Sequence, residues 1–280
     1  MSSSNTSDKP TISFIGAGNM ASSLIGGMLN DGWPCDKITI ADPNKSQREQ
    51  ITSRYAVHST DNNIVASSKA DIIVLAVKPQ ILKAVCQNLA SDFQHTQTLI
   101  VSIAAGIRET DINRWLGGNR AIVRCMPNTP ALVGSGMSGL FANSAVSEQQ
   151  KSRAENILRS VGVTLWLNEE SMLDSVTALS GSGPAYIFLV IEALQEAGVA
   201  LGLDENTARL LAIETTFGAA KMALESSSTA KLLRQQVTSP GGTTERALEV
   251  LQSGGLVELF ESALQAAKQR SIELADKLGA

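Results

Sequence analysis

The stretch from Thr11 to Leu29, TISFIGAGNMASSLIGGML, constrains the chain most: an apolar run breaks at a glycine cluster and resumes with helical spacing. It reads as a strand, a tight turn and a helix. Gly16, Gly18 and Ala21 take the three small-residue positions of G-x-G-x-x-G/A. Gly16 permits the turn, Gly18 lets the backbone approach a pyrophosphate, and Ala21 lets the helix pack closely on the strand. A helix that begins at Asn19 and Met20 aims unpaired N–H groups and the positive end of its dipole at that anion. A glycine-rich turn that binds nothing has the same pattern, so its surroundings decide.

Those surroundings repeat strand and helix. Lys37–Ala41 (KITIA) has the β-branched alternation of a second strand and stops at Asp42-Pro43-Asn44. Asp42 lies about 20 residues beyond the glycines, where an acidic residue accepts from the adenosine ribose hydroxyls and favours NAD. Lys45 and Arg48 follow at once, and as cations they suit a 2′-phosphate or form a solvated helix start. Asp71–Val77 (DIIVLAV) and Thr98–Ile103 (TLIVSI) are continuous apolar runs of the kind a parallel strand buried on both faces requires. The first ends at Lys78-Pro79 and the second at Ala104-Ala105-Gly106. Arg120–Met126 gives a further strand, closed by the rigid loop Pro127-Asn128-Thr129-Pro130. Met137–Ala142 and Val163–Leu167 flank a helix from Ser147 to Val161 and complete the sheet.

This predicts an α/β fold: a Rossmann-like, doubly wound parallel sheet over residues 11–168, followed by an all-helical domain over 169–280. Residues 1–10 read as a loose polar tail without the features of a signal peptide. In the second half, Ser180-Gly181-Ser182-Gly183 leads into a helix with Pro184 at its first position, running to about Leu201. The last helix, from Leu256, puts Leu259, Phe260, Ala263, Leu264, Ala267, Leu274 and Leu278 on one face. So much helix with so few aromatic residues makes a thin core for one copy, and predicts pairing of two copies through these helices. Thr238-Ser239-Pro240-Gly241-Gly242-Thr243-Thr244-Glu245 opens into a helix near Thr244, a nest of N–H groups suited to a carboxylate or a plain helix cap.

A net charge of −4 without a basic stripe argues against nucleic acid. No apolar run reaches the roughly 18 residues of a membrane span, so no membrane partner is expected and the cytoplasm is the default. Cys35, Cys86 and Cys125 lie far apart, which argues against a disulfide framework and a zinc site and predicts buried small hydrophobes in a reducing compartment. His58 and His95 fall in polar stretches between elements.

The residues resemble the pyrroline-5-carboxylate reductases. GAGNMA (from Gly16), AVKP (Ala76 to Pro79), SIAAG (to Gly106), RCMPNTPAL (from Arg124), SGSGPAY (from Ser180) and TSPGGTT (from Thr238) look like that family's signatures, in its order and spacing, over residues 11 to 275. The resemblance implies hydride transfer from NADPH, with NADH as the alternative, to the C=N carbon of 1-pyrroline-5-carboxylate, giving L-proline. It implies a coenzyme site at Gly16, Gly18, Asn19, Met20, Ala76, Val77, Lys78, Pro79, Ala104, Ala105 and Gly106, with Asn63 on the adenosine side. Asp42 and Lys45 border the same end, and the lean to NADPH rests on Lys45 and Arg48. Relatives that use NADP have a small hydroxylated residue where this chain has Asp42.

The resemblance also places the substrate carboxylate on Ser239, Gly241, Gly242, Thr243 and Thr244, with the Thr244 hydroxyl near the ring nitrogen, and implies a homodimer or a higher oligomer. A cyclic imine protonates readily and needs orientation more than a strong acid, which suits a chain poor in acid–base residues. β-Hydroxyacid dehydrogenases share the glycine-rich domain followed by helices, but their catalytic lysine follows a glycine cluster at the start of the long helix. Here Gly183-Pro184-Ala185-Tyr186 is followed by no lysine until Lys221. A non-catalytic NADP-binding regulator is the other alternative, and it is expected to lose the TSPGGTT nest, which this chain keeps.

Overall fold

The computed structural model describes residues 9–90 and 97–280. The reading of residues 1–8 as a loose tail and that of His95 fall outside the described residues. Lys9, at the end of that tail, is tied down: its ammonium lies 4.7 Å from the centroid of the Trp33 ring.

Two compact units form. One holds the chain up to Ser182 together with Ala267–Ala280, and the other is Gly183–Ala266. The first is built on one sheet of β1 (Ile12–Ile15), β2 (Ile38–Ala41), β3 (His58–Thr60), β4 (Ile72–Leu75), β5 (Leu99–Ser102), β6 (Ile122–Met126), β7 (Gly136–Ala142) and β8 (Gly162–Trp166). Their spatial order is 3-2-1-4-5-6-7-8. Ile12 pairs with Ile38 on one side and Ile72 on the other, and the ladder stays parallel through β6. β7 runs antiparallel to β6 because the loop between them holds only a short 3-10 turn, Thr129–Val133, too short for a parallel crossover.

β1, β4 and β5 are buried along their whole length because each face has its own core. Ile12, Phe14, Val74 and Val101 pack with Leu24, Ile25 and Met28 of α1 (Asn19–Asn30) and Ile157 and Leu158 of α6 (Glu148–Arg159). Ile15, Ile73, Leu75 and Ile100 pack on the other face with Leu82, Cys86 and Leu89 of α4 (Pro79–Ala90) and Ile112 of α5 (Glu109–Trp115). Each such side chain contributes about 1.5–3 kcal/mol by leaving water. α2 (Lys45–Arg54) and α3 (Asn63–Ser67) link the strands at the β3 edge.

Several sequence expectations change here. His58 opens edge strand β3, pairing with Thr39, and does not lie in a connecting stretch; three residues exposed or partly exposed throughout leave no alternation to read. The SGSG segment is no loop. α7 (Met172–Val176) passes through a π-helical turn, Thr177–Gly181, into α8 (Gly183–Ala200), so that Pro184 is the second residue of α8. The wider turn, closed by Ser182 N–H on the Thr177 carbonyl at 2.8 Å, shifts the hydrogen-bond ladder where a proline would otherwise interrupt it. As a result, residues 172–200 are continuously helical and, by length and composition, long and apolar enough to cross a membrane, contrary to the reading of the sequence.

α9 (Glu205–Glu225), α10 (Ala230–Gln236), α11 (Thr243–Ser253) and α12 (Leu256–Gly279) follow. α8 and α9 pair closely: a Cβ on Gly198 would sit 3.2 Å from the Ala208 Cβ. Little else in this unit is covered. α8 has no buried residue, and Phe188, Leu189, Phe217 and Leu224 are 66%, 65%, 60% and 83% exposed. The apolar stripe expected on α12 is likewise uncovered at Leu259 and Phe260; what the chain itself buries is Ser271, Ala275 and Gly279, which pack in the first unit.

Cys86 and Cys125 are buried and Cys35 is half-buried. Burial pushes the Cys86 thiol up to about 12 and raises that of Cys125 as well, against a small opposing effect of the Arg124 charge. Both therefore stay protonated and unreactive near neutrality. A thiol-specific disulfide reagent at pH 8 is expected to titrate only Cys35 in the native protein and all three cysteines after denaturation; fast reaction of Cys125 in the native state overturns this.

Candidate active site

The turn after β1 is shaped by what it lacks. Gly16 has φ +104°, and a Cβ there would lie 2.6 Å from the Ala76 carbonyl oxygen. Gly18 is the N-cap of α1, no side chain caps that helix, and a Cβ on Gly18 would meet nothing within 4 Å. The first N–H groups of α1, at Asn19 and Met20, thus open onto free space beside a backbone without a side chain, a cradle of the size and polarity a pyrophosphate fills. The residues present fit a dinucleotide.

At the end of β2 the Asp42 carboxylate is already engaged. Its Oδ2 accepts from Ala17 N–H at 2.9 Å and its Oδ1 from Asn44 N–H at 2.8 Å. Arg48 donates through Nη1 to the Asp42 carbonyl oxygen at 2.6 Å, and Lys45 stands exposed, 3.6 Å from Glu49. Asn63 is the first residue of α3, whose N-cap Asn62 accepts from Ile64 and Val65 N–H groups.

Ala76 continues β4, its N–H bonded to the Ile15 carbonyl at 2.8 Å, and with Val77 forms the half-buried wall beside Gly16; Lys78 is exposed and Pro79 starts α4. Ala104 and Gly106 are buried after β5, with Ala105 between them partly exposed. Gly106 has φ +67°, and its back is covered by α12: a Cβ there would lie 3.5 Å from that of Leu274. The strands of both motifs end at the carboxyl edge of the sheet, where open α/β folds bind their ligands.

The RCMPNTPAL loop after β6 is tied to the π-helical turn. Asn128 Nδ2 donates to both the carbonyl and the hydroxyl oxygen of Ser180 at 3.2 Å, and its Oδ1 accepts from Met137 N–H at 2.9 Å. Gly181 leaves room for the Met126 methyl, which a Cβ would displace. The motifs from Arg124 and Ser180, far apart in sequence, thus form one structure through a side chain that the sequence reading did not single out. An asparagine between two prolines is the only signal it gave.

In the second unit, Ser239–Thr244 forms a turn closed by Gly242 N–H on the Ser239 carbonyl at 3.0 Å, with Gly241 at φ +73°. Gly242 is the N-cap of α11 and no side chain caps it, so Thr244 sits inside the helix without that duty. Glu245 reaches back to accept from Gly241 N–H at 2.7 Å. This contact was missed in the sequence, although a glutamate three residues after an N-cap is the capping-box signal. The amides of Thr243 and Thr244 stay at the free end of the helix, where an anion is stabilised.

Comparison with known proteins places these features. Residues 170–274 match the family described as pyrroline-5-carboxylate reductase dimerisation, and residues 11–106 match NADP oxidoreductase, coenzyme F420-dependent. The pyrroline-5-carboxylate reductase of Pseudomonas aeruginosa is 52% identical over 96% of this chain and 98% of its own, and that of Haemophilus influenzae 44% over 94% and 97%. Among solved structures, the Coxiella burnetii pyrroline-5-carboxylate reductase superposes with a TM-score of 0.92 at 46% identity, covering 96% of this chain and 99% of that one. The Plasmodium falciparum pyrroline carboxylate reductase, solved with NADP bound, gives 0.84 at 30% identity over 96% and 99%. Likeness of this degree along the whole length, through both the glycine turn and the TSPGGTT loop, means that the chain belongs to the pyrroline-5-carboxylate reductase family.

Proposed function

We propose that the protein reduces the C=N bond of 1-pyrroline-5-carboxylate to L-proline with NAD(P)H, the last step of proline biosynthesis. The observation that carries this reading is the retention of both halves of the machinery in a chain alike to such reductases from end to end: an open glycine cradle and an uncapped Ser239–Thr244 loop.

In this reading Gly16, Gly18, Asn19 and Met20 hold the pyrophosphate through backbone N–H groups. Ala76, Val77, Lys78, Pro79, Ala104, Ala105 and Gly106 border the nicotinamide, leaving a flat ring room beside small residues. Asp42, Lys45 and Asn63 stand at the adenosine end, and Lys45 with Arg48 favours NADPH over NADH. The bound reduced nicotinamide supplies the hydride. Backbone groups of Ser239, Gly241, Gly242 and Thr243 orient the substrate carboxylate; because Glu245 takes the Gly241 N–H, the donors nearest α11 carry most of that contact. The Thr244 hydroxyl hydrogen-bonds at the ring nitrogen and orients an iminium that accepts hydride at carbon without a dedicated strong acid.

We further propose a homodimer formed through the helices of the second unit, with room for a higher assembly. The support is the exposed apolar surface of α8, α9 and α12 together with a match to a dimerisation family. The free cysteines suit a cytoplasmic enzyme.

Oxidation of NADPH on adding 1-pyrroline-5-carboxylate, with proline as product, is the expected result, with a lower kcat/KM for NADH. Thr244→Ala is expected to lower kcat/KM about tenfold, the worth of one hydrogen bond to a charged group; unchanged kcat and KM remove Thr244 from the reaction. Light scattering is expected to return at least twice the 29.5 kDa of one chain, and a monomer at micromolar concentration overturns the dimer.

A further inference from the structure

The geometry points to Asp42 as a positioning residue that acts through Ala17 on the coenzyme turn, and not as the reader that chooses between the two coenzymes. The inference rests on the reading that the turn from Gly16 to Met20 holds the pyrophosphate.

Every polar group of Asp42 is engaged within the chain. Its N–H donates to the Thr60 carbonyl at 3.2 Å, its carbonyl oxygen accepts from Arg48 at 2.6 Å, and each carboxylate oxygen accepts one backbone N–H. The important partner is Ala17, the residue between the two glycines of the turn. Gly16 N–H bonds to the Ala41 carbonyl at 2.8 Å and Ala17 N–H to Asp42 Oδ2 at 2.9 Å, so two adjacent peptides of the turn are tied side by side to the end of β2.

The two ties act where the chain is freest. Gly16 has φ +104°, and Gly18 has no side chain and open space around it, so neither glycine can hold the direction of the peptides that follow. A carboxylate is the strongest acceptor a side chain offers, and Asp42 is itself held by Asn44 N–H, so it fixes the plane of the Gly16–Ala17 peptide and through it the aim of the N–H groups at the start of α1. The pyrophosphate is common to NADPH and NADH, so a defect transmitted through Ala17 falls on both alike. The Arg48 guanidinium against the Asp42 carbonyl also offsets the carboxylate charge that a 2′-phosphate would meet.

Asp42→Asn tests this. An amide oxygen can accept from only one of the two N–H groups, and its own NH2 is turned toward the other. Dissociation constants of NADPH and NADH for the apo protein, followed by quenching of tryptophan fluorescence, are each expected to rise about tenfold, while their ratio stays within about threefold of wild type. A shift of that ratio by about tenfold or more toward NADPH shows direct reading of the ribose end and overturns the proposal, as do two unchanged constants. Gly18→Val, which fills the cradle, separates the two levels: if it leaves both constants unchanged, the pyrophosphate is not in the turn, whereas loss of binding in Gly18→Val with normal binding in Asp42→Asn defeats only the role of Asp42. Should Asp42→Asn fail to fold, hydrogen exchange in the wild-type apo protein decides: the Ala17 amide is expected to exchange about a hundredfold more slowly than an open chain, and exchange at the open-chain rate overturns the tie.

Discussion

The contact between Gly16 and the Ala76 carbonyl governs the carboxyl edge of the sheet. A Cβ at Gly16 would come within 2.6 Å of that oxygen, so only glycine lets the first turn lie against the end of the neighbouring strand β4. β1 is also where the strand order reverses, with β2 and β3 on one side and β4 to β6 on the other. Successive connections leave in opposite directions from that point, which opens a crevice at the strand ends. The glycine turn, AVKP and SIAAG all fall at that edge because β1, β4 and β5 are aligned residue for residue, from Ile12 with Ile72 to Leu75 with Ser102.

Behind that edge the first unit is held by buried charge. Arg124 lies within β6, almost wholly buried, and pairs with Glu170 at 2.7 Å. The same Glu170 oxygen accepts from Glu109 N–H, and Asn143 Nδ2 donates to Glu109 Oε1 at 2.6 Å. Beside them Asp174 accepts from Arg108 at 3.0 Å and from the Ser271 hydroxyl at 2.7 Å. Desolvating such groups costs several kcal/mol each, so the pairs add little net stability over apolar residues of the same shape. What they add is uniqueness of fit. α5, β6, the segment before α7 and the end of α12 can meet in one arrangement only, since any slip strands a charge, and Leu274 is thereby held against the back of Gly106.

Much of this was legible in the sequence because buried parallel strands leave a strong mark. DIIVLAV and TLIVSI have no polar face to confuse the pattern, and the prolines and glycines after them mark the strand ends. The parts that were not legible have physical causes. β3 is three residues long and exposed or partly exposed along its length, so it has no apolar signal. The π-helical turn is invisible to a helical period because it changes that period, and Ser-Gly-Ser-Gly composition argues for a loop unless the Met126 methyl behind Gly181 is known. Asp42 shows the limit most plainly. Its spacing from the glycines implies an acceptor for ribose, but spacing cannot reveal that Ala17 and Asn44 already hold both oxygens.

The helical unit presents the reverse problem, an excess of apolar signal. The stretch from Met172 to Ala200 is apolar enough to be taken for a membrane span, and very little of it is covered within one chain. Yet it carries Glu192 and Glu196, and a charged side chain deep in hydrocarbon costs about 2.5–3.5 kcal/mol even on the most lenient scale. α9, next to α8 in the same unit, has the same mixture, with Leu210, Leu211, Phe217 and Met222 exposed among Glu214 and Lys221. Apolar faces interrupted by charge suit a protein partner, which can cover the leucines and leave the carboxylates at a wet rim. A second copy of the same helices meets that requirement without any further component, because the faces that need covering are then identical on both sides.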